Sequence, residues 1–227
     1  MPGAGVSPYY KDSGSVPFSS RVSYAARKRM FELFMAVMCP GPEAHVLDIG
    51  VTSDTTFKES NYFESLYPYK DHIVCVGTEN ATHLEQVYPG LHFIPVQPRQ
   101  PFPFADKQFD IVFSNAVIEH VGNRGSQSDF VREACRVGKS VFITTPNRWF
   151  PMETHTGLPI LHYLPNEIYR QILRHTRLEY WSHEANLNLL TKNELAGLFP
   201  AKLQVRVALT GIRAGPFLSN LVAYCRY

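Results

Sequence analysis

Between residues 45 and 144 the sequence alternates short apolar runs with amphipathic stretches, and that alternation leaves few folds open. Strand candidates at 45–49, 72–76, 91–96, 109–114 and 140–144 are rich in Val, Ile and Phe, and several are apolar on both faces. A strand buried on both sides belongs in a parallel sheet covered by helices above and below. Helical candidates fall between the strands, at about 61–66, 80–88 and 126–137. This order implies right-handed crossovers and a doubly wound α/β sheet. The chain ends differently: "AKLQVRVALTG" and "SNLVAYCRY" are two strands with only a short connection, hence an antiparallel pair.

Ahead of this pattern, Val22, Ala25, Ala26, Met30, Phe31, Phe34 and Val37 recur at helical spacing until Cys39-Pro40-Gly41-Pro42 stops the helix. Residues 1–18 carry Gly, Pro, Ser and Tyr without periodicity and read as a flexible arm. With 227 residues and 44% hydrophobic content, positions 19–227 suit one domain with a full core. The net charge of +2 is scattered apart from Arg27-Lys28-Arg29, which reads as a solvated helix face; no nucleic-acid partner is expected. Cys39, Cys75, Cys135 and Cys225 are far apart and form no paired motif, as expected of reduced thiols in a cytoplasmic protein. No transmembrane segment is expected, because no apolar run approaches ~18 residues.

In an open α/β sheet, ligands bind beyond the carboxyl ends of the strands, near the point where strand order reverses. The loop after the first strand, within "HVLDIGVTSD", offers Asp48, Gly50, Thr52 and Asp54. "VGTEN" after the second strand offers Glu79 and Asn80; a carboxylate there accepts hydrogen bonds from both hydroxyls of a ribose. The fourth strand runs into "SNAVIEHV". A pyrophosphate-binding dehydrogenase needs three glycines in the first loop, and Gly50 stands alone.

Taken in order, "VLDIG", "VGTE", "PFPFADKQFDIVFSNAVIEHV" and "LLTKNEL", followed by the terminal strand pair, resemble the class I S-adenosylmethionine-dependent methyltransferases of the small type-11 group. The resemblance covers roughly residues 20–227. It implies a Rossmann-like doubly wound seven-stranded sheet, mostly parallel with one antiparallel C-terminal strand. It also implies S-adenosylmethionine as cofactor, and methyl transfer to an oxygen or nitrogen of a small-molecule acceptor.

Carried onto this sequence, the resemblance places the amino-acid part of the cofactor at Asp48 and Gly50, with Thr52 beside them. Glu79 and Asn80 would serve the ribose, Gln97 the adenine edge, and Asn115 the methionyl moiety. Two positions depart from the family, which has glycine where Thr52 stands and an acidic residue near Gln97-Pro98. Glu79 also stands 31 positions after Asp48, more than the ~20 typical of dinucleotide folds. That length predicts a wide first loop, with Ser53 or Asp54 capping a displaced helix. These departures keep a second reading open, a degenerate non-catalytic cofactor-binding or partner-binding protein.

Glu119-His120 resembles the end of the Glu-x-x-Glu-His metal motif of some quinone-pathway O-methyltransferases, but Ala116 replaces the first ligand. His155 and His162 are seven apart with prolines between, which matches no zinc spacing, so no metal is expected. His120 and His155 are candidate general bases. The segment 147–187 is longer than one crossover needs and reads as an inserted acceptor or lid segment, with Arg148, Trp149 and His162 as candidate acceptor contacts.

Overall fold

The structure, a computed structural model, describes residues 18–226. Seven strands form one sheet: β1 (Val46–Ile49), β2 (Ile73–Gly77), β3 (His92–Pro95), β4 (Phe109–Asn115), β5 (Gly138–Pro146), β6 (Arg206–Ala214) and β7 (Phe217–Arg226). Their order is β3-β2-β1-β4-β5-β7-β6. β1 to β5 pair in parallel, while β7 runs antiparallel to both β5 and β6, so β7 alone is reversed. The chain leaves β1 toward β2 and β3 on one side and returns to lay β4 on the other. That reversal opens a crevice at the carboxyl ends of β1 and β4.

Helix α1 (Phe18–Met38) buries Ala26, Met30, Phe34 and Met38, spaced four apart on one stripe. It therefore begins at Phe18, the last position of the expected arm; the rest of that arm lies outside the described residues. Phe34 is fully buried and meets Phe63, Phe113 and Phe142 edge-on, at ring-centre distances of 5.1, 5.5 and 5.3 Å. Phe63 belongs to α2 (Tyr62–Leu66) and stacks on Phe113 of β4 at 4.1 Å. The Tyr- and Phe-rich extra length of the first loop is thus core, and it pins α2 beside β1 and β4.

On the other face, α4 (Arg124–Val137) buries Val131, Ala134, Cys135 and Val137. Asn123 caps it, its side chain accepting from Ser126 N at 2.9 Å. Helix α3 (Leu84–Val87) is shorter than the pattern over 80–88 suggests, because Asn80 Oδ1 accepts from Thr82 N and Oγ in a turn before it. In the 147–187 segment, α5 (Asn166–Arg174) packs Tyr169 and Leu173 against Trp181, Leu187 and Leu189, a satellite core of its own. Helix α6 (Lys192–Gly197) follows, its start closed by the reciprocal bonds of Thr191 and Glu194 within the "LLTKNEL" motif. Among the described residues, no helix is long and apolar enough to cross a membrane.

Candidate active site

The first loop is held by a side chain rather than by a second glycine. Gly50 has φ +103°, and a Cβ there would stand 2.1 Å from Val117 Cγ2, so the β1 and β4 loops touch only because residue 50 has no side chain. Beyond it, Asn61 braces the chain. Its Oδ1 accepts from Thr52 N at 3.1 Å, and its Nδ2 donates to Thr52 O and Asp54 O at 3.0 and 2.8 Å. Asp54 accepts from Thr56 N, Phe57 N and Ser60 Oγ, stabilising a turn within the loop. The expected capping of the displaced helix by Ser53 or Asp54 is not what forms: Asn61 precedes α2, and its side chain is committed to the loop.

Above this loop lies a cleft of about 980 Å³, at the upper end of the ~300–1,000 Å³ of ligand sites. Gly50, Thr52, Glu79, Gln97 and Asn115 line one part of it, and His120 and His155 another. Glu79 is exposed, and its Oε2 accepts from Ser53 Oγ at 3.1 Å. Asn115 Oδ1 accepts from Thr144 Oγ at 2.7 Å and from Tyr62 Oη at 3.4 Å, which fixes the amide's orientation and leaves its NH₂ as the donor edge.

Two expected cofactor residues stand apart from this lining. Asn80 is occupied in its turn with Thr82. Asp48, only 5% exposed, lies behind the cleft in a pocket of about 20 Å³ shared with Glu64, room for roughly one water. Burial, and then the neighbouring Glu64 carboxyl, push Asp48 well above the usual carboxylate range.

The cleft also gains a residue that the sequence reading placed on a solvated face. Arg27 lines it from α1, its guanidinium 5.9 Å from the Tyr62 ring centre. Nε of Arg27 and Oγ1 of Thr52 are buried and make no hydrogen bond among the described residues. The charged triplet gave no sign of this; only the helical phase set by Ala26 and Met30 separates Arg27 from the exposed Lys28 and Arg29.

At the other end, Glu119, His120 and His155 meet. Glu119 and His120 lie in the short helical turn Ile118–His120 after β4, while His155 comes from the 147–187 segment. The two imidazoles pack edge to face with ring centres 4.8 Å apart, beside Trp181. Nδ1 of His120 donates to Asn186 O at 2.6 Å, and Nδ1 of His155 donates to Glu153 Oε1 at 2.7 Å. Burial keeps His120 below the usual imidazole value, although Glu119 opposes it. Burial acts against the charged form of His155 too, but the Glu153 hydrogen bond and charge outweigh it and raise that histidine. Burial would likewise raise Glu153, yet its bonds to His155 and Thr156 hold it at about 2.

Arg148, Trp149 and His162 are not brought to this cleft. Nη2 of Arg148 donates to Leu164 O at 3.1 Å, and Trp149 is 45% exposed with its carbonyl accepting from Tyr163 Oη. His162 is buried, with Nε2 donating to Phe150 O at 2.9 Å. These three brace the inserted segment itself.

The residues fit S-adenosylmethionine. The half-buried Arg27, whose buried Nε–H has no partner among the described residues, and the equally unpartnered Thr52 hydroxyl suit the amino-acid carboxylate; the exposed Glu79 carboxylate, on the loop after β2, suits the ribose diol.

Residues 68–141 match a family model described as a methyltransferase domain. No curated protein sequence matches the chain. Among solved structures, the PH0226 protein from Pyrococcus horikoshii is similar over 97% of this chain and 96% of its own, at 16% identity and a TM-score of 0.59. A SAM-dependent methyltransferase from Aquifex aeolicus covers 91% of this chain and 92% of its own, at 13% identity and 0.53. The N-methyltransferase NodS from Bradyrhizobium japonicum, solved with S-adenosyl-L-homocysteine, covers 88% and 86%, at 10% identity and 0.56. Residues 68–141 thus resemble a methyltransferase domain, and the chain as a whole shares the fold of these solved structures, with the same doubly wound sheet and a cleft at its switch point.

Proposed function

We propose that the protein transfers the methyl group of S-adenosylmethionine to an oxygen or nitrogen of a small-molecule acceptor bound at the His120–His155 end of the cleft. The observation that carries this reading is the continuity of one cleft from Glu79, past Asn115, to the two histidines. When bound, the cofactor supplies an electrophilic methyl on a sulfonium sulfur. The protein's part is mainly placement, because holding donor and acceptor near attack distance contributes more to such a displacement than proton transfer does.

Each group has a place in that task. Glu79 holds the ribose, Arg27 and Thr52 the amino-acid end, and Gln97 the adenine edge. Asn115, its amide locked by Thr144, orients the methionyl arm. His120 or His155 takes the acceptor proton, a contribution of ~10²–10⁴-fold when a base is required. The 147–187 segment contributes His155 and Trp181 to this end and sets which acceptor fits.

Calorimetric titration with S-adenosylmethionine, then incubation with a metabolite extract and methyl-labelled cofactor, tests the reading. Saturable binding with label appearing in a small-molecule product supports it. Binding with no labelled product from any extract would sink it in favour of a non-catalytic cofactor-binding protein.

A further inference from the structure

Glu119 is a carboxylate sealed from solvent whose needs are only half met. Its side chain is 0% exposed, and Oε2 accepts from Thr145 Oγ at 2.9 Å. Oε1 is buried and makes no hydrogen bond among the described residues, although His120 Nε2 lies 3.8 Å away. A buried carboxylate oxygen without a partner is costly, by ~1–3 kcal/mol or more, so its retention calls for an explanation.

The surroundings supply one. One donor atom each from Glu119, His120 and His155 lies within 4.8 Å of the other two. Both imidazoles are oriented through their far nitrogens, His120 by the Asn186 carbonyl and His155 by the Glu153 carboxylate. Thr145 orients the Glu119 carboxylate in the same way. Such outer bonds fix the tautomer and turn Nε2 into the atom each histidine can offer, which is how proteins prepare imidazole ligands. Zn–N and Zn–O bonds of ~2.0–2.2 Å put tetrahedral ligands roughly 3.3–3.5 Å apart, so the cluster closes on one ion with shifts of about an ångström.

From this geometry we infer that Glu119, His120 and His155 form a binding site for one divalent first-row cation, Zn²⁺ or Mn²⁺ in class, with its open positions toward the cleft. The donor set, two imidazoles and one carboxylate, is the mixed nitrogen–oxygen type such ions accept. Glu119 and Glu153 bring carboxylates to a cluster that then holds an ion of matching charge beside a sulfonium site. The first-ligand position of the Glu-x-x-Glu-His pattern, Ala116, contributes nothing; His155, distant in sequence, takes up that role.

The ion gives the site an acceptor preference, a conclusion that rests on the methyl-transfer reading, whereas the ion site itself does not. A hydroxyl held against a divalent ion is more acidic than a free one. With both imidazole Nε2 atoms on the ion, the metal replaces the histidines as the means of activating the acceptor: the hydroxyl proton passes to solvent water, the oxygen lone pair forms the new bond to the methyl carbon, and the electron pair of the broken S–C bond stays on sulfur. The favoured acceptors are therefore oxygen chelators such as vicinal diols and catechols.

The test is a calorimetric titration of chelator-treated full-length protein with Mn²⁺ and with Zn²⁺, with S-adenosylmethionine titrated in parallel. We expect one equivalent of metal bound. Glu119→Gln and His155→Gln should each weaken it at least tenfold, while leaving the thermal melt cooperative and cofactor affinity within a few-fold. His92→Ala, which removes an exposed histidine, should change nothing. Absence of saturable metal binding, or binding that both cluster variants retain, overturns the site. Catechol should bind the Mn²⁺-loaded protein at least tenfold more tightly than the metal-free protein; equal affinities overturn the acceptor preference. Metal binding without cofactor binding would count against the methyl-transfer reading and not against the ion site.

Discussion

The Ser53 hydroxyl donates to Glu79 Oε2 at 3.1 Å, tying the loop after β1 to the carboxylate that closes β2. This contact engages one of the oxygens that a ribose diol would use. Glu79→Ala removes both acceptors and should weaken S-adenosylmethionine binding at least about tenfold, because charge-assisted bonds are worth ~1.5–3 kcal/mol each. Ser53→Ala should leave the affinity within a few-fold. Calorimetry on the two variants decides the matter, and an unchanged Glu79→Ala affinity would refute the ribose assignment.

Arg27 should hold the carboxylate end of the cofactor through a donor that has no other partner among the described residues. Arg27→Ala is expected to weaken cofactor binding roughly 10–100-fold. Arg27→Lys keeps the charge but loses the planar fork, and should recover only part of the loss. Equal affinity of all three proteins would place Arg27 outside the site.

Gly50→Ala meets two obstacles at once, a φ of +103° and a contact of 2.1 Å with Val117 Cγ2. Strain and overpacking each cost ~1–3 kcal/mol, so the variant should be less stable by at least ~2 kcal/mol in urea unfolding. Shortening the neighbour as well, in Gly50→Ala with Val117→Ala, should restore part of this. No recovery would show that backbone strain dominates over the clash.

Asp48 offers a pH signature. Its carboxyl is pushed above the ordinary 3.8 by burial and by Glu64. Between its unfolded and folded pKa values the native state holds more protons, so this group's contribution to stability is present below the unfolded value and is lost as pH rises. Asp48→Asn removes the penalty. The melting temperature of the variant minus that of the parent should be more positive at pH 7 than at pH 4. A difference independent of pH would refute this reading.

His155 and Arg148, nine and two positions beyond the end of β5, separate clearly in space. His155 lines the cleft, whereas Arg148 bonds Leu164 O within the inserted segment. His155→Ala should lower methyl transfer at least tenfold while the cofactor dissociation constant stays within a few-fold. Arg148→Ala should instead appear as a loss of ~1 kcal/mol in the melt, the value of one hydrogen bond. Side-by-side turnover and melting measurements distinguish them, and equal loss of turnover would put Arg148 back at the acceptor.

Much of the scaffold could be read from the chain, because strands buried on both faces announce themselves as unbroken Val, Ile and Phe runs. The five parallel strands, the closing antiparallel pair and the helix that ends just before Cys39 all rest on periodicity, which is a local property. So does the position of Glu79, which follows from being the first carboxylate after an apolar strand.

What the sequence could not decide were contacts between segments far apart in the chain. Asn61 replaces a missing glycine only because Phe63 stacks on Phe113 and carries α2 to the loop. Arg27 reaches the cleft through the phase of a helix whose charged triplet looks uniform. His155 and His162, only seven positions apart, are turned to different partners; His155 meets His120, 35 positions earlier, across the mouth of the sheet. Composition and spacing record which groups a chain owns, whereas the charge, hydration and ligand geometry of a site arise from packing that brings distant groups within a few ångströms.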